Sequence, residues 1–228
     1  LSDGRVWVAG TFNRFGSTTV PGLAQFNLDG TLSATQPMSS LALTTGEVAG
    51  TDNGKVFAWI ETASNTTESY SATLARLNAD GTVDNTFAPA AGSVGSLFGA
   101  PGGKLLLAQA VVTPAAALNG TGGNALRRLD ATGALDATYA TSLSSIAVVE
   151  RNATNAVTMI RTGGLHVAQV LSDSRALVVA SAVDGSAKLQ RLSATGAVDA
   201  AFNAPSFGTI SPVIGFTPVI TDPVTSTS

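Results

Sequence analysis

The chain has 228 residues, enough to bury a substantial core as one domain or as a short repeat array. Hydrophobic residues make up 44% and charged residues only 12%, against about 25% charged in an ordinary globular domain, the reverse of a disordered polar tract. Net charge is −3 with no basic cluster larger than Arg127–Arg128, which argues against duplex nucleic acid, and the absence of cysteine excludes disulfides, thiol catalysis and cysteine-based zinc sites.

The first residues, LSDGRVWVAG, carry neither an initiator Met nor a signal-peptide pattern, so the chain reads as a processed product or a piece of something longer. RVWVAG (5–10) is a short β-branched apolar run after a turn signal, and it predicts a strand. A variable loop, 11–22, leads to AQFNLDGTLSATQ (24–36), and together these form a first repeat unit near 1–36. SLALT (40–44) is the first strand of a second unit, 40–89. KVFAWI (55–60), a loop over 61–73, and ARLNADGTVDNTF (75–87) complete that unit.

A third unit, 93–140, repeats the order with SVGSLFGA (93–100), KLLLAQAVV (104–112), a loop over 113–124 and RRLDATGALDATY (127–139). Its most apolar stretch, 105–118, is too short to span a bilayer and contains Pro114, so no membrane insertion is expected. The fourth unit, 145–205, opens on an extra hairpin, SIAVVE (145–150) to AVTMIR (156–161). It continues with LHVAQVL (165–171), RALVVASA (175–182) and QRLSATGAVDAAF (190–202). Residues 206–228 hold one more strand, GTISPVIGF (208–216), either closing or belonging to a next blade, and a polar tail with Pro223.

Gly30, Gly81, Gly133 and Gly196 mark the same turn in each copy, spaced 51, 52 and 63 residues apart. Glycine there supplies the left-handed conformation of a type I turn with a bulge, and the segment after it reads as a short third strand ending on Phe87, Tyr139 or Phe202. The apolar runs do not alternate, which is the pattern of strands buried on both faces. Four antiparallel strands per unit of about 50 residues is the pattern of a β-propeller blade. The expected fold is therefore all-β and β-propeller-like, with four units closed as a ring or forming an arc of a larger propeller.

The pattern Arg-Leu-x-x-x-Gly-x-(Leu/Val)-Asp stands at Arg76 to Asp84, Arg128 to Asp136 and Arg191 to Asp199. It resembles the delta-sixty repeat, a bacterial β-propeller-like repeat of large secreted or surface proteins. Unit one departs from it, with Gln25–Phe26 for Arg-Leu and Ser33 for Asp. The resemblance implies a propeller fold and an extracellular location, secreted or on the cell surface, and no reaction.

Candidate chemistry is sparse. Asn78, Asp80 and Asp84 mimic a calcium loop, but an EF-type loop needs twelve residues and a terminal Glu, and the third and fourth copies put Thr132 and Thr195 at the Asp80 position. A structural hairpin is the better reading, and no metal or cofactor is expected. Arg76, Arg128 and Arg191 are spaced to clasp Asp84, Asp136 and Asp199 across the hairpin, with a charged channel lining as the functional alternative. His166, the only histidine, sits in an apolar strand and reads as a core or face residue; no nucleophile elbow accompanies it. Glu47, Glu61, Glu68 and Glu150 show no acid–base pair spacing. Trp7 and Trp59 read as core, and the sequons at Asn65, Asn119 and Asn152 fall in loops.

No catalytic, cofactor or metal residue is therefore assigned. The expected role is non-catalytic: a bacterial surface or secreted module binding a protein or glycan ligand, or acting in adhesion, through the loops 11–22, 61–73 and 113–124 on one face. The alternative is a structural subunit of a surface filament, layer or stalk, self-assembling through strand edges. An enzyme with a channel-lining site ranks last.

Overall fold

Short β-branched and leucine-rich runs punctuated by Gly, Asp and Asn turns leave the backbone few options besides antiparallel hairpins. That is what the computed structural model of the chain contains. It describes residues 4–10, 12–34, 36, 42–62, 71–90, 95–108, 126–143, 147–151, 153, 157–162, 165–181, 186–204 and 206–207. In chain order the strands begin with β1 (Val6–Ala9), β2 (Arg14–Phe15), β3 (Thr18–Thr19) and β4 (Leu23–Phe26). Strands β5 (Ala42–Gly50), β6 (Val56–Thr62) and β7 (Ser71–Leu77) follow, then β8 (Ser96–Ala100), β9 (Lys104–Ala108) and β10 (Leu126–Leu129). The last are β11 (Ala147–Arg151), β12 (Val157–Thr162), β13 (Leu165–Val170), β14 (Ala176–Ser181), β15 (Ala187–Leu192) and β16 (Ser206–Phe207).

They form small antiparallel sheets in sequence order: β1–β4, β5–β6–β7, β8–β9–β10 and β13–β14–β15–β16, with two added hairpins, β2–β3 and β11–β12. The extra hairpin expected at 145–161 is thus present as β11–β12.

The sheets stack face to face. Strand β9 shows why the apolar runs do not alternate. Leu105 and Leu107 pack with Ala49, Phe57, Trp59, Leu74 and Phe87 of the sheet before it. Leu106 and Ala108 pack on the other side with Val167, Ala176, Val178 and Leu192 of the sheet after it. Leu105, Leu106 and Leu107 are all at most 2% exposed, and each buried leucine contributes on the order of 2 kcal/mol. The leading strands hold the stack together: β5 contacts β1 on one side and β8 on the other, and β8 contacts β13. At the β5–β8 crossing a side chain at Gly99 would overlap the carbonyl oxygen of Gly50.

Three expectations are corrected by the structure. The third strand of each copy is reduced to a single bridge, Leu77–Val83, Leu129–Leu135 and Leu192–Val198, with Phe26–Leu32 in the first. The reason is local: Asp84 Oδ1 accepts from the Thr86 amide at 3.0 Å and from its hydroxyl at 2.6 Å, and the Phe87 amide returns to the Asp84 carbonyl. This side-chain turn outcompetes a ladder. Among the described residues, the last sheet alone gains a further strand there, β16.

The segment 11–22 is not an open loop. Its described part folds as the β2–β3 hairpin, because Phe15 packs edge-on against Phe12 and Phe26, with ring centroids 4.7 Å and 5.0 Å apart, and Val20 is buried. The leading strand of the second unit is also longer than 40–44, running Ala42–Gly50. The strand expected at 208–216 and the tail lie outside the described residues, as do residues 63–70 of the second loop, all of the third loop (113–124) and residues 109–112 of the strand expected at 104–112.

Candidate functional site

The four turn glycines take φ of +81°, +82°, +95° and +88° at Gly30, Gly81, Gly133 and Gly196. Each closes a turn whose first residue bonds back across it, as where the Gly81 amide reaches the Asn78 carbonyl and Asn78 the Thr82 carbonyl. Side chains reinforce the loop: Asp80 Oδ1 accepts from the Thr82 amide and hydroxyl, and Asn78 donates to Thr82 Oγ1. The oxygens that resembled calcium ligands are thus aimed at their own turn. Asp84 is turned away from Asp80, into an ion pair. Among the described residues no group of three His, Asp or Glu gathers that could hold a metal ion.

The Arg–Asp clasp is present three times. Nε of Arg76, Arg128 and Arg191 donates to Oδ2 of Asp84, Asp136 and Asp199 at 2.7, 2.9 and 2.8 Å. A lysine from the start of the neighbouring strand joins the first two: Lys55 lies 2.7 Å from Asp84 and Lys104 3.0 Å from Asp136. Beneath each guanidinium lies the aromatic that ends the copy, Phe87, Tyr139 or Phe202, at 4.9, 4.5 and 4.8 Å. These cations are therefore stacked, paired and mostly desolvated.

Electrostatics follow from that packing. Burial alone would raise the Asp84 carboxyl, yet hydrogen bonds from Lys55, Thr86 and Arg76 outweigh it and hold it far below the usual carboxylate range. Asp136 is held down likewise, first by Thr138, against burial, then by Lys104 and Arg128. Burial pushes the Tyr139 phenol up to about 12, with the Arg128 charge opposing. The Tyr139 hydroxyl is buried without a hydrogen-bond partner.

What the sequence did not disclose is the other hand of each arginine. Arg76 Nη1 donates to the Ala131 carbonyl and Arg128 Nη1 to the Ala194 carbonyl, both at 2.6 Å. Each acceptor is the second residue of the next copy's glycine turn. The backbone seals the same junction: the Ala88 and Ala90 amides donate to Thr132 and Gly133, and the Ala140 amide donates to Thr195. In the first copy, which lacks the Asp, Gln25 Nε2 and Arg5 Nη1 both reach the Ala79 carbonyl, at 2.9 and 3.1 Å. The sequence signal was there in the fixed Arg-to-aromatic spacing, but nothing in it points to a carbonyl more than 50 residues away.

The remaining candidates are dispersed. His166 is exposed on β13, so it is a face residue and not core. Glu47 Oε1 accepts the Leu97 amide at 2.8 Å, tying β5 to β8. The side chains of Glu61 and Glu150 fall outside the described set, and Glu68, Asn65, Asn119 and Asn152 lie outside the described residues. Trp59 is buried and donates to the Gly95 carbonyl at 3.2 Å. Trp7 is only half-buried, although its indole N–H is enclosed with no partner. Of the three variable segments, the described residues present exposed polar side chains at the β2–β3 tip, where Asn13, Arg14, Ser17, Thr18 and Thr19 face outward.

A family model described as a domain of unknown function (DUF5122) beta-propeller matches residues 1–35 and 62–87. With the stacked antiparallel sheets it supports a β-propeller-like repeat family and an all-β, propeller-like fold. No curated protein matches the chain. No solved structure matches it either.

Proposed function

We propose that the chain is a non-catalytic display module of four propeller-like units, of the delta-sixty repeat type, from a secreted or surface protein of a bacterium. The supporting observation is a division of labour along each hairpin. The glycine-turn ends of β7 and β10 carry the Arg–Asp pairs and the junction carbonyls, and the paired carboxylates are consumed in packing. The opposite ends of the same strands are joined by the variable segments between β1 and β4, β6 and β7, and β9 and β10. A scaffold locked at one end leaves the other free to vary, and recognition follows from those loops. The β2–β3 tip, with its exposed Asn, Arg, Ser and Thr side chains, suits a hydroxyl-rich ligand such as a glycan.

The test is a glycan array probed with residues 1–228 and with a chain in which 12–20, 63–70 and 113–124 are replaced by short Gly-containing turns. Binding should disappear in the second chain while its thermal unfolding stays cooperative. Binding retained by the shortened chain, or none by the intact one, would reject glycan recognition through this face.

A further inference from the structure

The turn that closes β5 on β6, Thr51-Asp52-Asn53-Gly54-Lys55, does more than reverse the chain. Asp52 Oδ2 accepts from the Gly102 amide at 2.8 Å and Oδ1 from the Gly103 amide at 3.2 Å, so this turn is pinned to the β8–β9 turn of the next sheet. Asn53 lies beside that contact: a Cβ built on Gly103 would come 3.3 Å from its Nδ2. Asn53 is itself exposed, and a glycine follows it.

An Asx–Gly step can close on itself, because the glycine carries no side chain to hinder its nitrogen from attacking the preceding side-chain carbon. Three such steps, Asp29–Gly30, Asn53–Gly54 and Asp80–Gly81, lie wholly within the described residues. They are not equivalent. At Asp29 and Asp80 the hydroxyl and then the amide of Thr31 or Thr82 hold the carboxyl below its ordinary range, so it stays an ionised, poor electrophile. The amides of Gly30 and Gly81 are also held closely by turn carbonyls, at 3.0 and 2.9 Å. Asn53 instead carries a neutral amide, and the Gly54 N–H reaches the Thr51 carbonyl only at 3.4 Å. The Thr51 hydroxyl donates to Asn53 Oδ1, the atom that gathers negative charge when a nucleophile adds to the side-chain carbon.

We propose that Asn53 is a site of spontaneous deamidation, and that its conversion loosens the junction between the β5–β6–β7 and β8–β9–β10 sheets. The Gly54 nitrogen gives its proton to hydroxide and attacks Asn53 Cγ, forming the N–Cγ bond of a succinimide. The bond from Cγ to Nδ2 breaks, and the side-chain nitrogen leaves as ammonia, taking its third hydrogen from water. A second water opens the ring at either carbonyl, leaving aspartate or isoaspartate at 53. The isoaspartyl form inserts a carbon into the backbone of the turn, and both forms add a negative charge beside Asp52. Each change works against the seating of Asp52 on the Gly102 and Gly103 amides. The site is independent of loop recognition and stands or falls separately from it.

Residues 1–228 are aged in mildly alkaline heavy-oxygen water, folded and in urea, and mapped by peptide mass spectrometry. In the folded chain Asn53 should lose ammonia, take up heavy oxygen and split into aspartyl and isoaspartyl peptides. Asn27 and Asn78, followed by Leu28 and Ala79, should stay intact in the same sample. The aged chain should melt roughly 2–4 °C lower than the fresh one. An Asn53→Gln chain, whose longer side chain cannot close the five-membered ring, should melt with the parent when fresh and keep that midpoint on ageing. Asn53 left intact in the folded chain would overturn the proposal, and its conversion in urea alone would show that the turn protects it. Conversion without a fall in the melting midpoint, or an equal fall in aged Asn53→Gln, would overturn it as well.

Discussion

The Arg76 guanidinium lies 2.6 Å from the carbonyl oxygen of Ala131, 55 residues further along the chain, while its Nε holds Asp84 in its own hairpin at 2.7 Å. One side chain thus closes a hairpin and joins two sheets. Arg128 does the same with Asp136 and Ala194.

Removing such an arginine should cost much more than removing an exposed one. Arg128→Ala leaves the buried Asp136 carboxylate with Lys104 and Thr138 alone and leaves a junction carbonyl unfilled, so a loss of about 3 kcal/mol is expected. Arg191→Ala breaks a partly exposed pair that reaches no junction carbonyl among the described residues, and no more than about 1 kcal/mol is expected. Urea unfolding of the two variants side by side checks this; equal losses would remove the junction from the explanation.

The depressed carboxyls of Asp84 and Asp136 set an acid limit. Both bind protons less readily folded than unfolded, so their contribution is fully present above the ordinary carboxylate pKa and is lost as pH falls below it. The midpoint of thermal unfolding should stay level from neutral pH to about 5 and fall progressively below about 4. Asp136→Asn should be less stable at neutral pH but show a shallower acid decline, as calorimetry across pH would show.

Tyr139 offers a test of burial without hydrogen bonding. Tyr139→Phe removes a buried hydroxyl that has no partner and keeps the ring under Arg128, so stability should be unchanged or slightly higher. In a Tyr70→Phe background, phenolate absorbance should report Tyr139 alone, titrating near 12 instead of near 10. A normal midpoint would mean that the phenol is solvated.

Two glycines in the same turn position should respond differently. Alanine at Gly133 adds the strain of φ +95° and an overlap with the Ala88 carbonyl, whereas at Gly30 only the strain of φ +81° applies. Gly30→Ala should cost on the order of 1 kcal/mol and Gly133→Ala clearly more, about 3 kcal/mol. Thermal denaturation of both would reveal a similar cost if the sheets do not meet at that turn.

The repeat, the positive-φ glycines, the buried-on-both-faces strands and the Arg–Asp pairs were all legible in the sequence. Each is local: a turn needs Gly within four residues, and a hairpin brings position 128 to position 136 wherever the sheet sits. The β2–β3 hairpin escaped notice because it depends on Phe15 finding Phe26 across a folded loop. The shortened third strands escaped it because Asp84 has two uses, ladder or side-chain turn, and its bonds to the Thr86 amide and hydroxyl favour the second. What only the tertiary structure decided is the partner of each arginine's far nitrogen. A backbone carbonyl has no residue-type signature, and the acceptors Ala131 and Ala194 become recognisable only when stacking brings the next glycine turn within hydrogen-bond reach.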